Sequence, residues 1–166
     1  TARKILVRDR QYIIDHYDDD TDNAWEEITG KSFFSRTAQR QAIDKLEKAS
    51  AQTAIAQEKK IPEIIQNLNT LLEEHWASDL GHYRSILNGK AKNGALRGHE
   101  LNIDIVFACT YNGLPCFDER MLATVAKLRD KFEKLYPINE QDQVLGIGPL
   151  IGRYPGDQYD GTGNPV

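Results

Sequence analysis

The chain has 166 residues, 40% hydrophobic and 28% charged, which is enough apolar material for one folded domain and excludes a disordered chain. Its net charge of -4 argues against a nucleic-acid binder, because such proteins usually present a basic face. No apolar run is long enough to span a bilayer, and the charged start is unlike a signal peptide. The absence of an initiator methionine is compatible with a piece of a longer protein.

Helical periodicity dominates the first half of the chain. A first helix ends in the acidic run 18–23, a second begins near Ser32, and a third has Pro62 in its first turn. The predicted apolar faces are Ile5, Leu6, Tyr12, Ile13, His16 and Tyr17 in the first, Phe34, Ala38, Ala42, Leu46 and Ala49 in the second, and Ile61, Ile64, Ile65, Leu68, Leu71, Leu72 and Trp76 in the third.

The second half is less regular. Residues 78–99 carry four glycines and are expected to be irregular. Residues 101–107 alternate like a strand, but their helical surroundings favour a short helix. Asp118 is a good N-cap for a last long helix, which Pro137 ends, and no further helix is expected after it. The predicted fold is therefore all-α, with about four to five helices and long loops of the kind that usually serve a function.

Two loops contain candidate site residues. The first loop follows the acidic run and contains Trp25, Glu26 and Glu27. Because the carboxyl groups of adjacent residues point in different directions, they cannot face each other across a glycosidic bond. One of them can still be a general acid beside the indole. The alternative is a pair of solvated glutamates beside a half-buried Trp. In the second loop, Arg153 offers fixed donors for hydroxyls, and Tyr154 and Tyr159 offer flat faces. Its alternative is a loop held by an Arg–Asp pair.

Motifs for metals and cofactors do not match. The acidic run has Asn23 where a calcium loop needs Gly and Thr29 where it needs Glu. Gly30-Lys31-Ser32 lacks the glycine and the strand that a phosphate loop requires. The four histidines are scattered, so no metal and no cofactor is expected. Cys109 and Cys116 are either paired across a turn or free thiols, and the sequence leaves both open.

Three stretches occur in the same order in one enzyme family. The run from Trp25 to Phe34 resembles the glucoamylase signature, in which Asp-Leu-Trp-Glu-Glu-Val-Asn-Gly leads into an aromatic pair and a helix. The stretches 135–139 and 151–155 resemble two further family stretches, and Gly163-Asn164-Pro165 resembles the Gly-Asn-Pro-Trp that follows. The resemblance runs from about Arg10 to the last residue.

This resemblance implies an inverting hydrolase that releases glucose from the non-reducing ends of α-1,4-glucans, including maltooligosaccharides. It implies part of an (α/α)6 barrel, with Glu26 as general acid. Trp25, Glu27, Arg153 and Asp157 would be the substrate-binding residues. The compartment is unknown; secreted, vacuolar or periplasmic sites would follow the family.

The chain also departs from the family. Asn23 replaces an acidic residue, Gly156 interrupts Arg-Tyr-Pro-Glu-Asp, and Val166 replaces a Trp. The family's catalytic base lies beyond the position that matches Val166. We therefore expect residues 1–166 to be one partial catalytic domain, incomplete at both ends. Its partners would include the missing parts of its own domain. We do not expect this chain alone to release glucose. The alternatives are a non-catalytic or degenerate carbohydrate-binding relative and a plain helical interaction protein.

Overall fold

A computed structural model of the chain describes residues 2–50, 55–91 and 101–157. These ranges form six helices and five short strands. The helices are α1 (Ala2–His16), α2 (Phe33–Ser50), α3 (Ile61–Glu73), α4 (Asp104–Thr110), α5 (Glu119–Leu135) and α6 (Ile138–Leu145). The strands are β1 (Thr21–Asp22), β2 (Ile28–Ser32), β3 (Trp76–Ala77), β4 (His82–Tyr83) and β5 (Ile86–Ala91).

The helices that have start signals in the sequence lie where those signals predict them. Helix α2 begins one residue after Ser32, and Pro62 occupies the first turn of α3. The Asp118 side chain accepts hydrogen bonds from the backbone amides of Arg120 and Met121, at 2.8 and 3.1 Å, and so caps α5 as predicted. The short helix favoured for residues 101–107 is present as α4, shifted to begin at Asp104.

The all-α prediction is wrong in part, because β1, β2 and β5 form an antiparallel sheet and β3 pairs with β4. Strands β3, β4 and β5 lie in or beside the stretch that was expected to be irregular. Strand β5 pairs with β2 from more than 50 residues away in sequence, so local pattern does not reveal it. Gly30 lies at a bulge in this pairing, where a Cβ atom would come within 2.7 Å of the Leu87 carbonyl oxygen.

The expectation that no helix follows Pro137 is also wrong. Helix α6 begins at the next residue, because proline suits the first turn of a helix as well as it ends the preceding one. Asn139 fixes the junction: its Nδ2 donates to the carbonyls of Phe132 and Leu150, and its Oδ1 accepts from the Leu150 amide.

Two of the predicted apolar faces differ from the buried ones. In α1 the buried residues are Arg10 and Ile14, whereas Ile5, Leu6 and Tyr12 are exposed. Helix α2 packs against α1, α3 and α4, so its burial is not confined to one stripe. Its buried residues are Phe33, Arg36, Thr37, Ile43 and Ser50, and the predicted set is only half-buried.

The core has two apolar clusters, and both contain residues of α2 and α3. One joins α1, α2 and α3 and contains Ile14, Ile43, Ile61, Ile64 and Leu68. The other joins α2 to α5 and contains Phe33, Leu72, Ile105, Ala108 and Met121. The second cluster anchors α4, and the residues just before α4 contact both candidate loops.

A buried polar network lies beside the second cluster. Arg36 donates to the Leu71 carbonyl and to Asp18 Oδ1, both at 3.1 Å, and lies 3.1 Å from His75 Nε2. His75 is fully buried, and its Nδ1 lies 2.8 Å from the Arg84 carbonyl oxygen. This geometry fits a neutral ring that donates from Nδ1 and accepts at Nε2. Burial lowers the pKa of His75 to about 4.

In the described ranges, no helix has the length and apolar character needed to cross a membrane. The same residues contain no group of three or more His, Cys, Asp or Glu side chains arranged to hold a metal ion. Cys109 and Cys116 are both free thiols in the structure, and burial raises the pKa of Cys109 to about 11.

Candidate active site

The first loop, residues 23–27, is the turn of the β1–β2 hairpin. The Asn23 side-chain oxygen accepts hydrogen bonds from the amides of Glu27 and Ile28, at 3.0 and 3.3 Å. The Asn23 carbonyl accepts a bond from the Glu26 amide at 3.0 Å. Asn closes turns in this way because its short side chain reaches nearby backbone amides. The closed turn holds Glu26 in the left-handed region, with a φ of 57°.

The two glutamates of this loop have different surroundings. Glu26 is exposed, and its carboxylate accepts no hydrogen bond from any residue that the structure describes. Glu27 is partly buried: its Oε1 lies 3.1 Å from Arg153 Nη1, and its Oε2 accepts a hydrogen bond of 2.5 Å from the Tyr154 hydroxyl. Glu27 is therefore fixed by the second loop, and Glu26 is accessible.

Arg153 is the centre of the second loop. Its Nε and Nη2 donate to the two carboxylate oxygens of Asp157, at 2.7 and 2.6 Å, which is the bidentate geometry that fixes both groups in one plane. These bonds raise the pKa of Arg153 above its ordinary value. Burial raises the pKa of Tyr154, and the hydrogen bond to Glu27 raises it further.

Trp25 lies against this ionic cluster. The Arg153 guanidinium lies 5.4 Å from the centre of the indole ring, within the range of a cation–π contact. The ring packs edge-on against Phe107 of α4, with centroids 5.9 Å apart. The indole N–H donates to Asn102 Oδ1 at 3.0 Å. The Trp25 ring therefore lies beside Arg153, which also contacts the carboxylates of Glu27 and Asp157.

The three residues before and at the start of α4 were missed by sequence reasoning. Asn102 and Asp104 are fully buried, and the Ile103 amide donates to the Arg153 carbonyl at 2.9 Å. Burial raises the pKa of Asp104 to about 6, although hydrogen bonds from the Ser85 hydroxyl and from backbone amides, including that of Ala24, act in the opposite direction. The sequence offers no signal for this role, because the burial of Asn102 and Asp104 is visible only in the structure.

The structure brings together four of the five predicted residues: Trp25, Glu27, Arg153 and Asp157. Glu26 lies beside them in the same turn. The Arg153–Asp157 pair of the alternative interpretation is present, so these residues hold the second loop together whatever else they do. Tyr159 and the stretch 163–166 lie outside the described residues.

This arrangement suits a sugar. Paired carboxylates and a guanidinium offer acceptors and donors for neighbouring hydroxyls, and the indole offers an apolar face for a ring. Glu26, in the same turn as Trp25 and Glu27, adds an exposed carboxyl group.

Several known proteins are similar to this chain. It is 24% identical to Glucoamylase 1 of Rhizopus oryzae over 99% of its own length and 28% of the relative's. It is 29% identical to the intracellular, sporulation-specific glucoamylase of Saccharomyces cerevisiae over 95% of its own length and 31% of the relative's. The chain thus spans about a third or less of these relatives.

Solved structures show the same fold. The glucoamylase from Saccharomycopsis fibuligera matches 94% of this chain and 33% of its own, with a TM-score of 0.73 and 20% identity. The glucoamylase of Hormoconis resinae matches 95% and 27%, with a TM-score of 0.71 and 22% identity. The family model "Glycosyl hydrolases family 15" matches residues 1–166. Its match over the whole sequence, together with these relatives, shows that the chain belongs to glycosyl hydrolases family 15.

Proposed function

We propose that this chain carries the acid and part of the sugar-binding side of a site that hydrolyses α-1,4-glucans from their non-reducing ends with inversion. The observation that supports this most directly is the Trp25–Glu27–Arg153–Asp157 cluster, which joins two loops more than 120 residues apart. Its chemistry suits a glucose unit, and glucoamylases are among the relatives of the chain.

In this proposal Glu26 is the general acid. Its carboxyl group is accessible, whereas Glu27 is already engaged by Arg153 and Tyr154. A proton donor must reach the glycosidic oxygen, and a binding carboxylate must stay ionised and fixed. The division of roles between two adjacent glutamates therefore follows their surroundings.

Trp25 and Arg153 bind the sugar next to the scissile bond. The indole covers an apolar ring face, while Arg153, held in one orientation by Asp157, donates to hydroxyls. Glu27, which lies 3.1 Å from the guanidinium, accepts from neighbouring hydroxyls. Fixed groups of this kind bind without the entropic cost of ordering flexible side chains.

Inversion needs a second carboxylate that activates water on the other side of the sugar ring. The resemblance that identifies Glu26 matches no residue of this sequence to that base, so we propose that another segment supplies it. We also propose that the described helices are part of an (α/α)6 barrel. The exposed apolar side chains of α1 and α6, including Ile5, Tyr12, Val144 and Leu145, support packing against further helices.

The test is the release of glucose from maltose. We expect no release by the 166-residue chain. In a longer form of the protein that contains it, we expect β-glucose as the first product, detected by NMR of the anomeric proton, and loss of turnover in Glu26→Gln. Turnover by the short chain that disappears in Glu26→Gln would contradict the proposal that the base lies elsewhere. The reducing-end unit of maltose is itself a mixture of anomers, so the anomer is read from the unit cleaved at the non-reducing end, and α-glucose from that unit would contradict inversion.

A non-catalytic carbohydrate-binding relative is the second candidate. Asn23 favours it, because an uncharged amide lies where the resembling family has a carboxylate close to the acid. The discriminating result is a longer form that binds maltose but releases no glucose under any condition tested.

A further inference from the structure

Asn102 lies between the two loops of the site. Its side chain is fully buried, and its Oδ1 accepts two hydrogen bonds, from Trp25 Nε1 and from the Asp104 amide, both at 3.0 Å. The first bond joins residues 77 apart in sequence, and the second is local to the start of α4. One oxygen atom therefore couples the indole to the helix.

The next residue contacts the other loop. The Ile103 amide donates to the Arg153 carbonyl at 2.9 Å, and the Arg153 guanidinium lies over the indole that Asn102 holds. Asn102 thus holds the N–H edge of the Trp25 ring. The Ile103 amide holds Arg153, whose guanidinium lies over the face of the same ring.

We propose that Asn102 is a positioning residue that sets the orientation of the Trp25 indole for sugar binding. The indole N–H can only donate, so in a partly buried setting its direction is set by the acceptor that meets it. Without that acceptor the N–H loses a hydrogen bond, and only the contacts with Phe107 and Arg153 remain to orient the ring. The consequence for binding rests on the function proposed above, whereas the orientation itself does not.

Three variants separate this role from general stability. Asn102→Ser keeps a short side chain that can accept from the Asp104 amide but cannot reach the indole. Asn102→Asp keeps both accepted bonds. Asn112→Ser is the matched control, because Asn112 is also a buried asparagine, and its Nδ2 donates to the Phe34 carbonyl and to Thr37, outside the site.

The first readout is the indole N–H proton in an NMR spectrum of the 166-residue chain. The chain has two tryptophans, so Trp76 supplies an internal reference. We expect the Trp25 signal to move upfield and to exchange faster with water in Asn102→Ser, and to stay near its original position in Asn102→Asp and Asn112→Ser. The Trp76 signal should stay in place throughout.

The second readout is the affinity for maltose, measured by calorimetry. We expect Asn102→Ser to weaken binding about tenfold, which is the effect of losing roughly one hydrogen bond, and Asn112→Ser to leave it unchanged. A changed indole signal with unchanged affinity would overturn the positioning role.

An unchanged indole signal in Asn102→Ser would overturn the inference whether or not maltose binds. If no variant binds maltose but the indole responds as expected, the orientation by Asn102 stands and the proposed function fails. Should Asn102→Ser not fold, the unaltered chain still decides: a Trp25 N–H that exchanges as fast as free indole would refute the hydrogen bond.

Discussion

Two buried groups, Asp104 and His75, should make opposite contributions to the free energy of unfolding between pH 4 and pH 6.5. The pKa of Asp104 is raised from 3.8 to about 6, and the pKa of His75 is lowered from 6.5 to about 4. At ~1.4 kcal/mol for each tenfold change in a proton equilibrium, each difference is worth about 3 kcal/mol.

The signs follow from linkage. A carboxyl group whose pKa is raised on folding contributes stability below its unfolded pKa, and that stability is lost as pH rises through about 6. A histidine whose pKa is lowered on folding contributes stability above 6.5, and that stability is lost as pH falls through about 4. Acidification across this range therefore strengthens the protein through Asp104 and weakens it through His75.

Single substitutions should expose each contribution. Asp104→Asn removes one titration and keeps an oxygen for the Ser85 hydroxyl. Relative to the unaltered chain, its free energy of unfolding should fall by about 3 kcal/mol as the pH is lowered from 6.5 to 4. His75→Gln keeps a donor for the Arg84 carbonyl and an acceptor for Arg36, and relative to the unaltered chain its free energy of unfolding should rise by a similar amount.

Urea unfolding followed by tryptophan fluorescence, repeated at half-unit steps of pH, measures these slopes. The prediction concerns the slope of the free energy of unfolding against pH, because each substitution also changes that free energy by an amount that does not depend on pH. Profiles of Asp104→Asn and His75→Gln that run parallel to that of the unaltered chain would refute the reasoning.

Two further predictions concern the second loop. Tyr154→Phe removes a hydrogen bond to a carboxylate that is about one-third exposed, so it should lower the free energy of unfolding by about 1 kcal/mol in a thermal melt, and an unchanged melt would contradict this. Gly152→Ala would place a Cβ against the Tyr136 hydroxyl and the buried Phe132 ring, and should lower the free energy of unfolding by about 1–3 kcal/mol. Gly148→Ala is the control, because its Cβ would meet nothing within 4 Å. Equal losses of stability in the two variants would refute the close approach at Gly152.

Five of the six helices in the described residues were predictable because their signals are local, whereas α6, which follows Pro137 directly, was not. Each signal lies within or next to the helix that it predicts, as do the apolar stripe of α3, Pro62 in the first turn of α3 and the Asp118 cap of α5. Strands β3 and β4 have two residues each, and β5 depends on its partner β2, so periodicity cannot reveal them. Exposure of the apolar residues of α1 was equally invisible, since periodicity does not tell which face is covered.

The site was predictable only as two separate loops. Trp25 and Glu27 in one and Arg153 in the other were identified by residue type and resemblance, and the structure adds that they touch. Asn102 was not identified because its contact with the site is a hydrogen bond to Trp25, a residue 77 positions away. A single sequence does not record such pairings.

The central claim is that Arg153 and its neighbours bind a sugar, whereas the Glu26 carboxyl group is not needed for binding. The binding of maltose to the folded 166-residue chain tests this claim most directly. Calorimetry should show similar affinity for the unaltered chain and Glu26→Gln. Arg153→Lys, which loses the bidentate geometry, should bind about tenfold more weakly, and Arg129→Lys on the surface of α5 should bind normally. No heat of binding from a folded chain, or full affinity in Arg153→Lys, would contradict the account.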